Sequence, residues 1–112
     1  IASRYNEKLK GIHGLLLPPG PDADTDHFDI YQNYELESSQ RDALRSHLQD
    51  SGVHTILQWG GKGIHQFQKL KLNIDLPKTQ EITENFFMLP MNTSLSNEDV
   101  DYICEQVFRF YE

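Results

Sequence analysis

Phe28-Asp29-Ile30-Tyr31-Gln32-Asn33-Tyr34-Glu35-Leu36 alternates with a period of two. Phe28, Ile30, Gln32, Tyr34 and Leu36 share one face, and Asp29, Tyr31, Asn33 and Glu35 share the other. That spacing predicts a half-buried strand. The period then changes. Ser39-Gln40-Arg41-Asp42 has the form of a capping box, with Ser39 as N-cap and Asp42 reaching back. Ala43, Leu44, His47 and Leu48 follow as a helical stripe, and Gly52 is a natural stop. Val53 to Trp59, β-branched and aromatic, predicts a second strand, cut at once by Gly60-Gly61-Lys62-Gly63. Strand, helix and strand in close succession point to the α/β class.

Working outward toward the N-terminus, Ile1, Tyr5, Leu9 and Ile12 line one face of a helix that closes near Gly11 or Gly14. No N-cap residue precedes it, so the chain is expected to be a piece of something longer; an exported or processed protein is the rival reading. Residues 18–27 form a turn-rich acidic loop whose prolines forbid regular pairing. Toward the C-terminus, residues 64–72 predict a short helix or turn. Pro77 suits the first turn of a further helix, capped by Asp75 and continued through Ile82 and Phe86. Phe87 to Met91 predicts a third, buried strand limited by Pro90. Ser96-Asn97-Glu98-Asp99 caps the last helix, with Leu95 and Val100 spaced as a hydrophobic staple. Val100, Ile103, Cys104, Val107, Phe108 and Tyr111 trace its apolar stripe, and Phe110 falls off it toward another surface. The expected architecture is a two-layer α/β (α+β) sandwich, a three-stranded sheet with flanking helices. Its strand order stays open.

Composition removes several function classes. The chain has 112 residues, enough for one modest core. Its formal charge of −7 argues against nucleic acid and against an anionic membrane surface. No apolar run is long enough to span a bilayer. One cysteine, Cys104, excludes an internal disulfide; inside an apolar stripe it reads as core rather than nucleophile. His13, His27, His47, His54 and His65 match no zinc spacing, and none is expected to bind metal. Asp22, Asp24 and Asp26 lack the glycine and distal glutamate of an EF-hand. Gly60-Gly61-Lys62-Gly63 is the unusual tetrapeptide. Its glycines permit positive φ and close approach of a ligand, and Lys62 offers a cation. The spacing of a phosphate-binding loop is missing, and nothing near Lys62 would depress its pKa as a Schiff base requires.

Taken together, several segments resemble one known family. Ile1-Ala2-Ser3-Arg4-Tyr5-Asn6-Glu7 through Leu9 and Gly11-Ile12 resembles the end of a long helix leading into a small domain. Tyr31-Gln32-Asn33-Tyr34 resembles that domain's first strand. Arg41-Asp42-Ala43-Leu44 with Leu48, Gly52-Val53 and Thr55 resembles the stretch after it. Gly63-Ile64-His65-Gln66, Leu76-Pro77-Lys78-Thr79, Met88-Leu89-Pro90-Met91-Asn92 and Leu95 through Ile103 resemble its later motifs in order. The family is the DegT/DnrJ/EryC1/StrS sugar aminotransferases, fold-type I enzymes that use pyridoxal phosphate.

The resemblance implies that residues 1–112 are the small C-terminal domain alone: 1–14 the end of an interdomain helix, 15–27 a loop, 28–112 the sandwich. It implies a cytoplasmic, homodimeric parent that moves an amino group, usually from glutamate, to a keto-sugar nucleotide in polysaccharide biosynthesis. The cofactor lysine and phosphate cup would lie in a large domain outside this chain. No catalytic residue and no cofactor are therefore expected here, and the chain alone is expected to be inactive. The family often reads His-Tyr-Pro at the end of the second strand, beside the active-site mouth, where this chain has Gln58, Trp59 and Gly60. The substrate contacts expected are Gln58, by amide hydrogen bonds to a sugar, Trp59, by stacking, and Lys62, as a charge on a diphosphate. His65, in the Gly63–Gln66 segment, completes the set. Two rival readings are a stand-alone module that holds an anion or nucleotide sugar, and a structural interaction domain that docks through Tyr31 and Phe110.

Overall fold

A computed structural model of the chain describes residues 1–21, 23–26 and 28–112. Helices α1 (Ala2–Leu9), α2 (Arg41–Asp50), α3 (Pro77–Asn85) and α4 (Asn97–Tyr111) flank a sheet of β1 (Leu15–Leu16), β2 (Tyr34–Ser38) and β3 (Phe86–Leu89). The sheet order is β1-β2-β3 and both pairings are antiparallel. Tyr34 faces Leu89 and Leu36 faces Phe87 across the central pair. The expected class, helices on a three-stranded sheet, holds. Two of the three strands are not where period alone put them.

The first strand starts six residues late. Its inward set is Tyr34, Leu36 and Ser38, all buried. Phe28 and Ile30, expected on the same face, are 86% and 79% exposed. The reason is local. The Asp29 carboxylate accepts the Tyr31 N–H at 2.7 Å, and Tyr31 sits at φ +49°, so a side-chain turn replaces the ladder. Tyr31 is then tied back to the proline loop, its hydroxyl donating to the Pro19 carbonyl. Asp22 and His27 of that loop lie outside the described residues.

The second expected strand, Val53 to Trp59, shrinks to a single bridge in which Ile56 and Met88 exchange hydrogen bonds of 3.1 and 2.9 Å. Leu15–Leu16 takes the third place in the sheet. The third strand, Phe86–Leu89, takes in Phe86, expected in the helix before it, and stops short of the expected Met91, because proline has no N–H to give the ladder.

The core lies on one face of the sheet. Tyr5, Leu9, Leu44, Leu48, Val100, Ile103, Cys104 and Val107 from α1, α2 and α4 meet Tyr34, Leu36, Phe87 and Leu89. Fully burying one such aliphatic side chain stabilises by about 1.5–3 kcal/mol. The Tyr5 and Tyr34 rings lie 4.7 Å apart. Their hydroxyls are satisfied by the Pro90 carbonyl at 2.9 Å and Asn6 Oδ1 at 2.6 Å, and burial raises both their pKa values. Burial likewise pushes the Cys104 thiol up to about 11, as a packed cysteine requires.

The caps divide. Ser96 Oγ accepts the Asp99 N–H and the Asp99 carboxylate accepts the Ser96 N–H, so the last helix begins as expected. For α2 the cap position is Gln40, without a side-chain bond. Asp42 instead accepts Arg41 Nε at 2.8 Å, and the Gln40 N–H goes to Ser38 Oγ at 3.0 Å. For α3 the cap position is Leu76 rather than Asp75, with Pro77 in the first turn. Its buried residue is Thr83, and Ile82 is exposed. On α4 the stripe holds through Val107 and resumes at Tyr111, half-buried against the core; of its expected members only Phe108 is exposed, whereas Phe110 turns inward against His47 and Tyr111. His47 Nε2 donates to the Gln106 carbonyl at 3.0 Å, so this histidine is a packed, hydrogen-bonded one.

Candidate functional site

The second face of the sheet carries the candidate site. On β2 the side chains that point away from the core are Glu35 and Glu37. Opposite them, past the Ile56 bridge, the chain makes a tight turn, Gln58–Gly61. Trp59, Gly60 and Gly61 have φ of +54°, +65° and +71°, a left-handed run in which only the two glycines are at ease. The Gly60 N–H closes the turn on the Leu57 carbonyl at 3.1 Å. The run holds the only tryptophan of the chain outward, 74% exposed.

The next turn is built by close packing. Gly63 is buried, and a Cβ there would lie 2.8 Å from both His65 Cε1 and Thr79 Cγ2, so no larger residue fits unless both side chains move. The Gly63 N–H donates to Gln66 Oε1 at 2.8 Å. Short 3₁₀ turns, Ile64–Gln66 and Gln68–Leu70, follow. Arg41 locks the region from below. Its side chain is largely buried, and it donates to the Thr83 carbonyl and to Asp42. The Arg41 guanidinium in turn holds the Asp42 carboxyl below the usual carboxylate range.

Two depressions result, with Trp59 and Thr83 shared between them. One, of about 480 Å³, is lined by Glu35, Glu37, Gln58, Ile82 and Phe86. The other, of about 520 Å³, is lined by Lys62, Gly63, Ile64, Phe67 and Leu70 and is almost wholly apolar. Of the four residues expected from sequence, Gln58 and Trp59 meet in the first depression and Trp59 and Lys62 in the second. His65 lines neither. Its two ring nitrogens are buried without a hydrogen-bond partner among the described residues, and the ring fills the space over Gly63. Sequence reasoning missed Glu35, Glu37, Ile64, Phe67 and Leu70 as site residues. The last three recur at steps of three, the 3₁₀ period, which was a usable signal.

No lysine is buried: Lys8, partly exposed, pairs with Asp101 at 3.2 Å, Lys78 pairs with Glu81, and Lys62 stands in solvent. A Schiff-base lysine needs burial or cationic neighbours to lower its pKa. The lysines of this chain do not fit that role. Among the described residues no group of three or more His, Cys, Asp or Glu side chains is placed to hold a metal. Among them, too, no helix is long and apolar enough to cross a membrane.

The sequence pattern of the DegT/DnrJ/EryC1/StrS aminotransferase family matches residues 1–108. A curated relative is the dTDP-4-dehydro-2,3,6-trideoxy-D-glucose 4-aminotransferase of Saccharopolyspora spinosa. It is 23% identical over 107 residues, which are 95% of this chain and 27% of that protein. Among solved structures, the aminotransferase TlmJ from Streptoalloteichus hindustanus superposes with a TM-score of 0.84 at 29% identity, over 95% of this chain and 28% of TlmJ. The structure of DesI in the presence of its TDP-sugar product superposes with a TM-score of 0.81 at 22% identity, over 97% and 29% of the two chains. The chain thus spans under a third of the length of each of these three.

Proposed function

Because the chain belongs to the DegT/DnrJ/EryC1/StrS aminotransferase family, we propose that it is the small C-terminal domain of a sugar aminotransferase that depends on pyridoxal phosphate. The observation that carries this reading is the match over residues 1–108 by a chain that spans only 28% of TlmJ. In the parent, an amino group passes from glutamate to a keto-sugar nucleotide. The cofactor supplies the electron sink for that transfer, and a large domain outside this chain holds it. The parent is a cytoplasmic homodimer that serves polysaccharide biosynthesis.

The part played by this chain is to bind and enclose. Gln58 exchanges hydrogen bonds with sugar hydroxyls, since an amide both donates and accepts. Trp59 lays its indole on the sugar face. Lys62 meets the diphosphate as a point charge. His65 works from behind, keeping Gly63 and the turn that presents Lys62 in place. Without the large domain the chain transfers nothing.

Two measurements test this. Pyridoxal phosphate and borohydride added to the 112-residue chain should leave no stoichiometric reduced adduct; a single adduct at Lys62 overturns the assignment. The reading frame upstream of Ile1 should encode a lysine-bearing cofactor domain, and its absence would also overturn it.

A further inference from the structure

Charge is not spread evenly along the chain. From Ser51 to Ile74, its longest stretch without Asp or Glu, the only charged side chains are Lys62, Lys69 and Lys71. All three lysines are exposed, and none forms an ion pair among the described residues. The rest of the chain is therefore more acidic than its net charge of −7 states. A cationic surface on an acidic protein selects an anionic partner and orients it.

The same stretch is apolar without being core. Every residue from 67 to 75 is exposed, among them Phe67, Leu70, Leu72 and Ile74. Grouped apolar side chains of this kind mark an interaction surface. At its centre is the depression of about 520 Å³ that Trp59, Lys62, Ile64, Phe67 and Leu70 line. That volume takes one bulky apolar side chain, with neighbouring contacts to keep water out. Trp59 also brings an indole N–H, which has no hydrogen bond among the described residues and can donate to a carboxylate. Lys69 and Lys71 flank Leu70 in the sequence. Glu35 and Glu37 line the other depression and not this one.

We infer that this face docks an acidic segment of another protein: a bulky apolar side chain enters the depression, and the carboxylates beside it meet Lys62, Lys69, Lys71 and the Trp59 N–H. The occupant is a protein segment rather than a bilayer. A depression takes a protruding side chain, and anionic lipid repels a chain of charge −7. The docked segment covers Trp59 and Lys62, so it shuts out the sugar and diphosphate contacts proposed for them. That consequence alone rests on the proposed reading of the parent.

The chain's single tryptophan reports docking directly. Emission from Trp59 is followed while the 112-residue chain is titrated with three probes. They are the synthetic peptide EEDFEELLDE, the peptide EEDSEESSDE, which keeps the charge and lacks the apolar anchors, and vesicles of phosphatidylglycerol. The first peptide should shift the emission to the blue saturably, with half-saturation on the order of 0.1 mM. Its binding should weaken as salt rises. The serine peptide should bind about tenfold more weakly, and vesicles should leave the emission unchanged. Phe67→Ala and Leu70→Ser should each weaken binding about tenfold, as loss of one buried apolar contact does. Lys69→Gln combined with Lys71→Gln should weaken it too and flatten the salt dependence. Lys10→Gln and Phe28→Ala, outside the stretch, should change nothing. Far-UV circular dichroism should show every variant folded, since each replaces exposed side chains. The inference fails if no saturable shift appears, if the serine peptide binds as tightly, if vesicles shift the emission, or if folded Phe67→Ala binds unchanged. None of those outcomes touches the aminotransferase reading, which the upstream reading frame decides.

Discussion

Trp59 combines two costs that a purely structural residue would not carry. Its backbone sits at φ +54°, and its indole is mostly in water. A non-glycine residue in the left-handed region loses about 1–2 kcal/mol, and an exposed ring recovers little of that by packing. Strain of this kind gathers where a side chain is held for use. Trp59→Gly should therefore raise stability by about 0.5–1 kcal/mol, the gain being trimmed by the greater chain entropy of glycine in the unfolded state. Urea unfolding followed by circular dichroism measures it. A loss of stability would mean that the indole supports the turn.

At the scale of elements, α1 is joined to α4 by one carboxylate. Asp101 accepts from Arg4 Nε at 2.5 Å and from Arg4 Nη2 at 2.7 Å, with Lys8 at 3.2 Å. The Arg4 hydrogen bond is the main cause that holds the Asp101 carboxyl at about 2, below its ordinary 3.8. The folded value is the lower one, so the contribution is fully present above about pH 4 and is lost as pH falls toward 2. Asp99 in the α4 cap and Asp42 beside Arg41 are lowered too and act with the same sign. Asp101→Asn should lower the melting temperature at pH 7 and flatten its fall between pH 4 and 2. Thermal melts across that range decide it, and parallel curves for the two proteins would refute the link.

The elements also show what one sequence reveals. α4 was legible because cap, staple and stripe agree on Ser96, Leu95 and Val100 to Val107. Strand β1 was not, since two leucines in a row carry no period. Phe28 and Ile30 had the period of a strand, and the Asp29 side-chain turn overrode it. Gln58, Trp59 and Lys62, singled out beside the glycines, do line the two depressions, although the strand expected to end there is a single bridge followed by a turn. Glu35 and Glu37 joined them only through the folding of α3 and β3 against β2. Such a meeting of distant segments leaves no local trace.

For the whole molecule, charge and apolar surface oppose each other. Ile56, Trp59, Ile64, Phe67, Leu70 and Ile82 are exposed on a chain of net charge −7. Apolar side chains grouped on a surface favour association, and like charge resists it until salt screens the repulsion. Sedimentation velocity should find a monomer at low ionic strength and reversible association as salt rises toward 1 M. Phe67→Glu should keep the chain monomeric throughout. Association that weakens with salt would instead point to an ionic contact.

The form that such association takes is set by the sheet margins. Strand β1 is two residues long, and the outer side of β3 is met by the Ile56 bridge at Met88. A growing fibril needs a long, unoccupied row of backbone donors and acceptors as its template. Neither margin supplies one, so copies of this chain meet through side chains and part again, and they do not lengthen one another's ladders into amyloid.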